Sequence, residues 1–254
     1  MKLTILGCSG GIGSGRHTTC FKVDDDVLID AGSGITTLDF EALVKIDHVF
    51  ITHAHLDHVL GLPLLLDSVG DMRSTPVTVH ALPEVLVVLA GHLFNWHLWP
   101  DFRRIPSPEA PWLRFEPLGV GEAFTLKGRT FRPLPVNHVV PACGIHLATS
   151  AGSLVFSGDT THSDAFVAAL NAIPDLRHLI IETSFENELV EIARASKHHW
   201  PASLAAELQN LSVQPEVWIT HLKPGNESSI MNELRNAAPD WGVEALMQGQ
   251  VIEI

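Results

Sequence analysis

The chain has few cysteines, few basic side chains and no long apolar run, and each shortage excludes a class of protein. The three cysteines, Cys8, Cys20 and Cys143, are odd in number and widely spaced. They form no C-x-x-C pair and no disulfide framework, so free thiols in a cytosolic protein are expected. Lys plus Arg number 16 against 29 Asp plus Glu, a formal net charge of −13. Phosphate backbones are gripped mainly by basic patches. A nucleic-acid polymer is therefore not an expected partner, whereas a small anionic substrate held by cations stays compatible. No apolar stretch approaches the ~20 residues of a membrane span. The opening MKLTILGCSGGIG has one basic residue and enters a strand at once, unlike a signal peptide. A soluble cytoplasmic protein with no membrane partner is expected. Repeats, low-complexity tracts and linkers are also missing, and 46% apolar residues in 254 supply a sizeable core.

What the chain has in excess is histidine, 15 in all. The segment ITHAHLDHVLGL, residues 51 to 62, places His53, His55, Asp57 and His58 directly after a β-branched apolar run. Asp and His are costly to bury unpaired, and one divalent metal would satisfy several at once. Two histidines one residue apart can reach a single metal from a turning backbone, while Asp57 and His58 turn toward a second. Metals ~3.5–4 Å apart are a common device for activating water and clamping a phosphoryl centre. Three further ligand types each follow an apolar strand: His138 after RTFRPLPVN, Asp159 after SLVFSG and His221 after EVWIT.

The surrounding pattern is mixed. Strands are expected at 2–7, in TCFKV, VLIDAG and DHVFIT, in TPVTVHAL, and through the run WLRFEPL, EAFTLKG, RTFRPLPV, GIHLATS and SLVFSGD. LATS-AG-SLVF reads as a hairpin. A helical pattern covers 57–69, and PEVLVVLAGHLF is a helix opened by proline. The last third alternates: SDAFVAAL helix, HLIIET strand, ASLAAELQNL helix, EVWITHL strand, ESSIMNELRNA helix. EALMQGQVIEI closes as strand-turn-strand. Strands followed by helices, twice over, fit two mixed sheets face to face with helices outside. The Pro-rich stretch 99–112 reads as a flexible segment.

HAHLDH matches the H-x-H-x-D-H signature of the metallo-β-lactamase superfamily, and VNH (136–138), SGDT (157–160) and THLKPG (220–225) match its later metal motifs in order. The chain resembles that superfamily from residue 2 to its C-terminus. The resemblance implies one domain over 1–254 with the four-layer αββα sandwich fold, α/β in class. It assigns His53, His55 and His138 to a first metal and Asp57, His58 and His221 to a second, with Asp159 bridging. Asp57 is thereby also a catalytic residue, and Asp30 in the LIDAG turn matches a position that buttresses the metal loops. Redox diiron members place a carboxylate where this chain has His55. The all-imidazole pair favours a Lewis-acid hydrolase with two divalent ions, zinc first, manganese or iron as alternatives.

IIETSFENE (180–188) with KHHWPASLAAEL (197–208) resembles the ribonuclease Z and cyclic-nucleotide phosphodiesterase branch, in which a Glu and a His flank the scissile phosphate. Counting back from Glu207-Leu208 puts those roles on Glu182 and His199, with His198 as a surface residue. GHLFNWHLWPDF (91–102), HAHLDHVLG and HLKPG are similar to class II 3',5'-cyclic-nucleotide phosphodiesterases. No glycine- and proline-rich tRNA-binding arm is found. The resemblance implies hydrolysis of 3',5'-cyclic AMP, and of cyclic GMP as a second candidate, to the 5'-monophosphate, with His199 as general acid. Phe94, Asn95 and Trp99 would meet the purine, by stacking for the aromatic pair. His162 would lie near the phosphate, and His17 in the loop SGGIGSGRHTT would face substrate. A ribonuclease Z-like nuclease is the alternative, and a non-catalytic nucleotide or metal sensor the third reading. Homodimers are common in the branch, so a homodimer is expected.

Overall fold

In the computed structural model, which describes residues 1–254, the chain builds two seven-stranded sheets. The first contains β1 (Lys2–Gly7), β2 (Cys20–Val23), β3 (Val27–Ile29), β4 (His48–Phe50), β5 (Val77–Ala81), β6 (Leu113–Pro117) and, from the far end of the chain, β14 (Val251–Glu253), in the order β14-β1-β2-β3-β4-β5-β6. The second contains β7 (Phe124–Leu126), β8 (Arg129–Pro135), β9 (Cys143–Thr149), β10 (Gly152–Phe156), β11 (Leu176–Glu182), β12 (Glu216–Thr220) and β13 (Glu244–Ala245), in the order β13-β12-β11-β10-β9-β8-β7. Both sheets are mixed: β3 to β6 are parallel, as are β10 to β13, and the remaining pairs are antiparallel.

The period-2 alternation of the strands decides the layering. On β10 and β11, Leu154, Phe156 and Ile180 face the core between the sheets. Their neighbours Val155, Leu179 and Ile181 face outward against α5 (Asp164–Asn171), α7 (Pro201–Leu208) and α8 (Glu227–Ala237). Strands buried on both faces read as unbroken apolar runs. Aromatic rings join the sheets: Phe21 meets Phe156 edge-on at 4.8 Å, and Phe50 stacks on Phe131 at 4.1 Å. The expected αββα sandwich is therefore what forms.

Local departures from the sequence reading have identifiable causes. The helix expected over 57–69 is two helices, α2 (Leu56–Val59) and α3 (Gly61–Val69). Gly61 N–H donates to Ala31 O at 2.8 Å, and Pro63 has no N–H to continue the ladder. The proline-opened helix is α4 (Pro83–Val88), followed by a wider turn in which Phe94 N–H reaches Leu89 O. The hairpin at Ser150-Ala151 forms, with β9 and β10 antiparallel. The closing strand-turn-strand forms too, but β13 and β14 lie in different sheets, so the turn carries the chain from one sheet to the other. The short helix α6 (Val190–Ser196) was not anticipated. The 99–112 stretch is packed rather than loose: Phe102 is buried against Trp112, and Asp101 accepts from Arg103. No helix is long and apolar enough to cross a membrane.

Candidate metal centre

The parallel strands deliver polar side chains to one edge of the sandwich, where carboxyl ends of strands commonly build sites. Asp30 follows β3, His53 to His58 follow β4, His138 follows β8, Asp159 follows β10, and His221 follows β12. Asp30 is fully buried in the left-handed region at φ 55°. Its carboxylate accepts from Thr52 N–H at 2.8 Å, from the Thr52 hydroxyl at 2.8 Å, and from His58 Nδ1 at 2.7 Å. It thereby fixes both the start of the metal loop and the orientation of one of its rings.

Two donor sets share Asp159. His53, His55, His138 and Asp159 form one, and Asp57, His58, Asp159 and His221 the other, with the ligand atoms of each set within 4.8 Å of one another. In the first, His53 Nε2 and His138 Nε2 lie 3.2 and 3.3 Å from His55 Nδ1. Asp159 approaches His53 Nε2 at 3.5 Å, His58 Nε2 at 3.4 Å and His221 Nε2 at 3.4 Å. His221 Nε2 is 3.2 Å from Asp57. Most rings are fixed through the opposite nitrogen: His53 by Thr52 Oγ1, His58 by Asp30, His138 by the Lys197 carbonyl and His221 by Ser184 Oγ. That arrangement is how outer partners orient metal-binding imidazoles.

The donors suit divalent metals. The Nε2 of fully buried His58 makes no well-formed hydrogen bond, with Asp159 nearest it at 3.4 Å, and because Nδ1 is held by Asp30 this is the nitrogen left to meet a cation. Burial, with the other imidazoles adding, pushes His53 well below the ordinary histidine value and His138 down to about 4. Neutral rings are what coordination requires. Asp159 opposes its own burial through His221, His58 and His53 and is held well below the carboxylate range. His58 behaves oppositely: burial disfavours its charge, but Asp159 and Asp30 on either side outweigh that and raise it. The pocket thus favours positive charge at its centre.

A third group flanks the donors, and here the sequence assignment is corrected. Glu182 is fully buried and its Oε1 lies 2.6 Å from Nδ1 of His198, not of His199. The same carboxylate accepts from Thr160 N–H and Ser184 Oγ. The His198 ring stacks on His221 at 5.2 Å and meets His138 edge-on at 5.2 Å. His199 points away: it is buried with Nδ1 2.5 Å from Ser203 Oγ and Nε2 3.6 Å from Glu207. One signal was readable. His199, Ser203 and Glu207 recur every four residues, one polar stripe on one helix face, which leaves His198 for the centre. Lys197 also escaped notice. It takes a left-handed conformation at the end of α6, offers its carbonyl to His138 Nδ1, and donates from Nζ to His138 O.

The proposed substrate contacts fare differently. Phe94 is fully buried beside Phe102 and Phe115, and Trp99 packs against the same core. Asn95 spends its side chain on its own turn, donating to Gly91 O and accepting from His97 and Leu98 N–H. Aromatic spacing here built a core, not a stacking platform. His162 has its nitrogens against Glu207 and Asp164, outside both donor sets. His17 borders a cavity on the His221 side, next to Ser9 and Leu222.

A family model described as the beta-lactamase superfamily domain matches residues 26–222. The chain belongs to that superfamily, on its metal-dependent branch. Its similar proteins include one named a phosphodiesterase and several named ribonuclease Z. A Yersinia pestis protein named a probable 3',5'-cyclic-nucleotide phosphodiesterase is 26% identical over 98% of this chain and 87% of its own length. A ribonuclease Z of Metallosphaera sedula is 30% identical over 70% of this chain and 56% of its own. In fold, the crystal structure of unliganded yeast PDE1 superposes with a TM-score of 0.82 at 20% identity, covering 98% of both chains. The short form of human tRNase Z gives 0.67 at 19% identity, covering 100% of this chain and 99% of that one.

Proposed function

We propose that the protein is a dinuclear-metal phosphodiesterase that hydrolyses 3',5'-cyclic AMP, with cyclic GMP as a second substrate, to the 5'-monophosphate. The observation that carries this reading is the Glu182–His198 pair set against the edge where the two donor sets share Asp159. Two divalent ions held there, zinc by the imidazole-rich donors, with manganese and iron as alternatives, would acidify a water and offset phosphoryl charge. The chain's own contribution is to hold and move protons. Glu182 takes Nδ1 of His198 and, against the pull of burial, raises the ring above its ordinary value. His198 is thereby kept supplied with a proton on Nε2 for the departing 3'-oxygen. An alkoxide is a poor leaving group, and such an acid contributes typically about 10²–10⁴-fold. The cyclic rather than polymeric substrate is supported by the acidic charge balance and by the near full-length similarity to the Yersinia pestis protein.

A ribonuclease Z-type activity is the second reading, favoured by relatives of that name at 30 to 33% identity over 54 to 70% of this chain. Metal-replete protein offered cyclic AMP, cyclic GMP and a tRNA precursor in parallel, with elemental analysis of the same sample, separates the two. We expect 5'-monophosphate from the cyclic nucleotides and no trimming of the precursor. Cleavage of the precursor alone would replace our reading with the second. Nucleotide bound but unhydrolysed would point to a sensor.

A further inference from the structure

Beside His138 the structure opens a cavity of about 470 Å³, within the range of small-ligand sites. Three separate stretches form it. The β5–α4 junction brings Leu82 and, from the first turn of α4, Glu84; the 118–121 turn brings Val120, and the loop after β8 brings Asn137, His138 and Val140. Because His138 belongs to the first donor set, this space adjoins the centre itself. The walls mix polar and apolar surface, the apolar part coming from Leu82, Val120, Val136, Val140 and Ala142. Glu84 is the one carboxylate among the lining residues, and no Lys or Arg is there. The cavity on the opposite flank, next to Leu222 and His17, does contain a guanidinium, that of Arg16. Arg16 there is ion-paired with Glu227 of the same cavity, so the unpaired carboxylate of Glu84 is what sets the His138 flank apart.

We infer that the cavity beside His138 is the subsite for the unattacked arm of the diester, that it takes an uncharged, flat, partly apolar group of nucleobase size, and that Glu84 is its specificity-determining residue. This rests on the phosphodiesterase reading above. The apolar part of the walls favours a ring over water, and a carboxylate accepts from the N–H groups that nucleobases carry. The same carboxylate, with no Lys or Arg among the lining residues, repels a second anionic group such as the next phosphate of an RNA strand. The residue deciding between small diester and polymer thus lies outside the metal motifs.

Two synthetic diesters test this without presupposing the natural substrate: 4-nitrophenyl phenyl phosphate, and its analogue carrying 3-carboxyphenyl in place of phenyl. In both, water adds to phosphorus, the bond to the 4-nitrophenyl oxygen breaks, and 4-nitrophenolate leaves with the electron pair, so only the retained arm differs. Metal-replete wild type should favour the neutral arm by about fivefold or more in kcat/KM. Glu84→Lys should shift the ratio toward the anionic arm by about tenfold, through KM, since exposed charge pairs are each worth up to about fivefold. Val120→Trp, which fills the cavity, should raise KM for both. Glu84 and Val120 are exposed, so neither change threatens the fold. A ratio unmoved within about twofold by Glu84→Lys, with KM unmoved by Val120→Trp, would overturn the subsite and leave the phosphodiesterase reading standing. Failure of wild type on both diesters while it hydrolyses cyclic AMP would overturn the subsite alone, and failure on all three would overturn both.

Discussion

The protein holds two clusters of buried histidine that share chemistry and differ in everything around it. At the strand ends, six rings, those of His53, His55, His58, His138, His198 and His221, converge with Asp57, Asp159 and Glu182. Within the first sheet, His48 and His80 sit on neighbouring strands with Nδ1 and Nε2 2.9 Å apart and their rings stacked at 5.1 Å. His80 stacks on Phe50 at 4.6 Å and touches Phe124 at 4.3 Å, and the one titratable neighbour acting on its ring is His48. One cluster leaves nitrogens facing each other and a shared carboxylate. The other pairs His80 Nε2 with His48 Nδ1, leaves His80 Nδ1 without a partner among aromatic rings, and uses the ring as an aromatic. Histidine count alone does not mark a metal centre; convergence with carboxylates does.

The sharpest test of that distinction is Asp159→Asn. It preserves shape while removing the one charge common to both donor sets. Metal content by elemental analysis should fall, and turnover should drop by at least about 10⁴-fold, roughly 5.5 kcal/mol of barrier. His48→Gln, in the other cluster, should leave metal content at the wild-type level. Loss of metal in both variants would mean the two clusters are not functionally distinct.

The next largest effect separates adjacent residues. His198→Ala should lower kcat about 10³-fold, the middle of the general-acid range, with the metals retained. His199→Ala should instead destabilise the fold by about 1–3 kcal/mol by leaving Ser203 and Glu207 buried without it, and per-molecule turnover should hold. Reversal of these two outcomes in single-turnover and urea-denaturation measurements would restore the assignment made from sequence.

That pair also shows what the sequence could and could not disclose. The metal motifs are short and local, and each sits where a strand ends, so position nominated His53 through His221 and the family resemblance joined them into one centre. The His198–His199 choice depends on where α7 begins, and counting from its far end carried the helix-length error back to its start. Phe94 and Trp99 failed for another reason: a core ring and a stacking platform have the same composition, and only exposure tells them apart. Lys197 was invisible because its role lies in a left-handed backbone and a carbonyl, neither of which a residue type reveals.

A smaller effect is expected at Asp30, which belongs to neither donor set but holds His58, a member of the second, together with Thr52. Asp30→Asn keeps the volume and weakens that grip. Outer partners of metal-binding histidines are worth about 10–100-fold in metal affinity, and chelator competition should read a loss in that range. An unchanged affinity would make Asp30 a plain turn residue.

The smallest effect lies in the cluster that binds nothing. Burial, with His48 beside it, pushes His80 down to about 4. An unfolded chain takes up that proton as pH falls through about 6.5, while the native ring refuses it until about 4. His80 therefore supports the fold fully above pH 6.5 and progressively less down to pH 4. His80→Phe, packed between the same aromatic rings, abolishes the difference. Urea denaturation of metal-free protein at pH 7 and 4.5 should show the variant losing about 2 kcal/mol less than wild type, discounted for partial exposure. Equal losses would mean that the ring is protonated in place, and that the contrast between a core histidine and a ligand histidine is weaker than the packing implies.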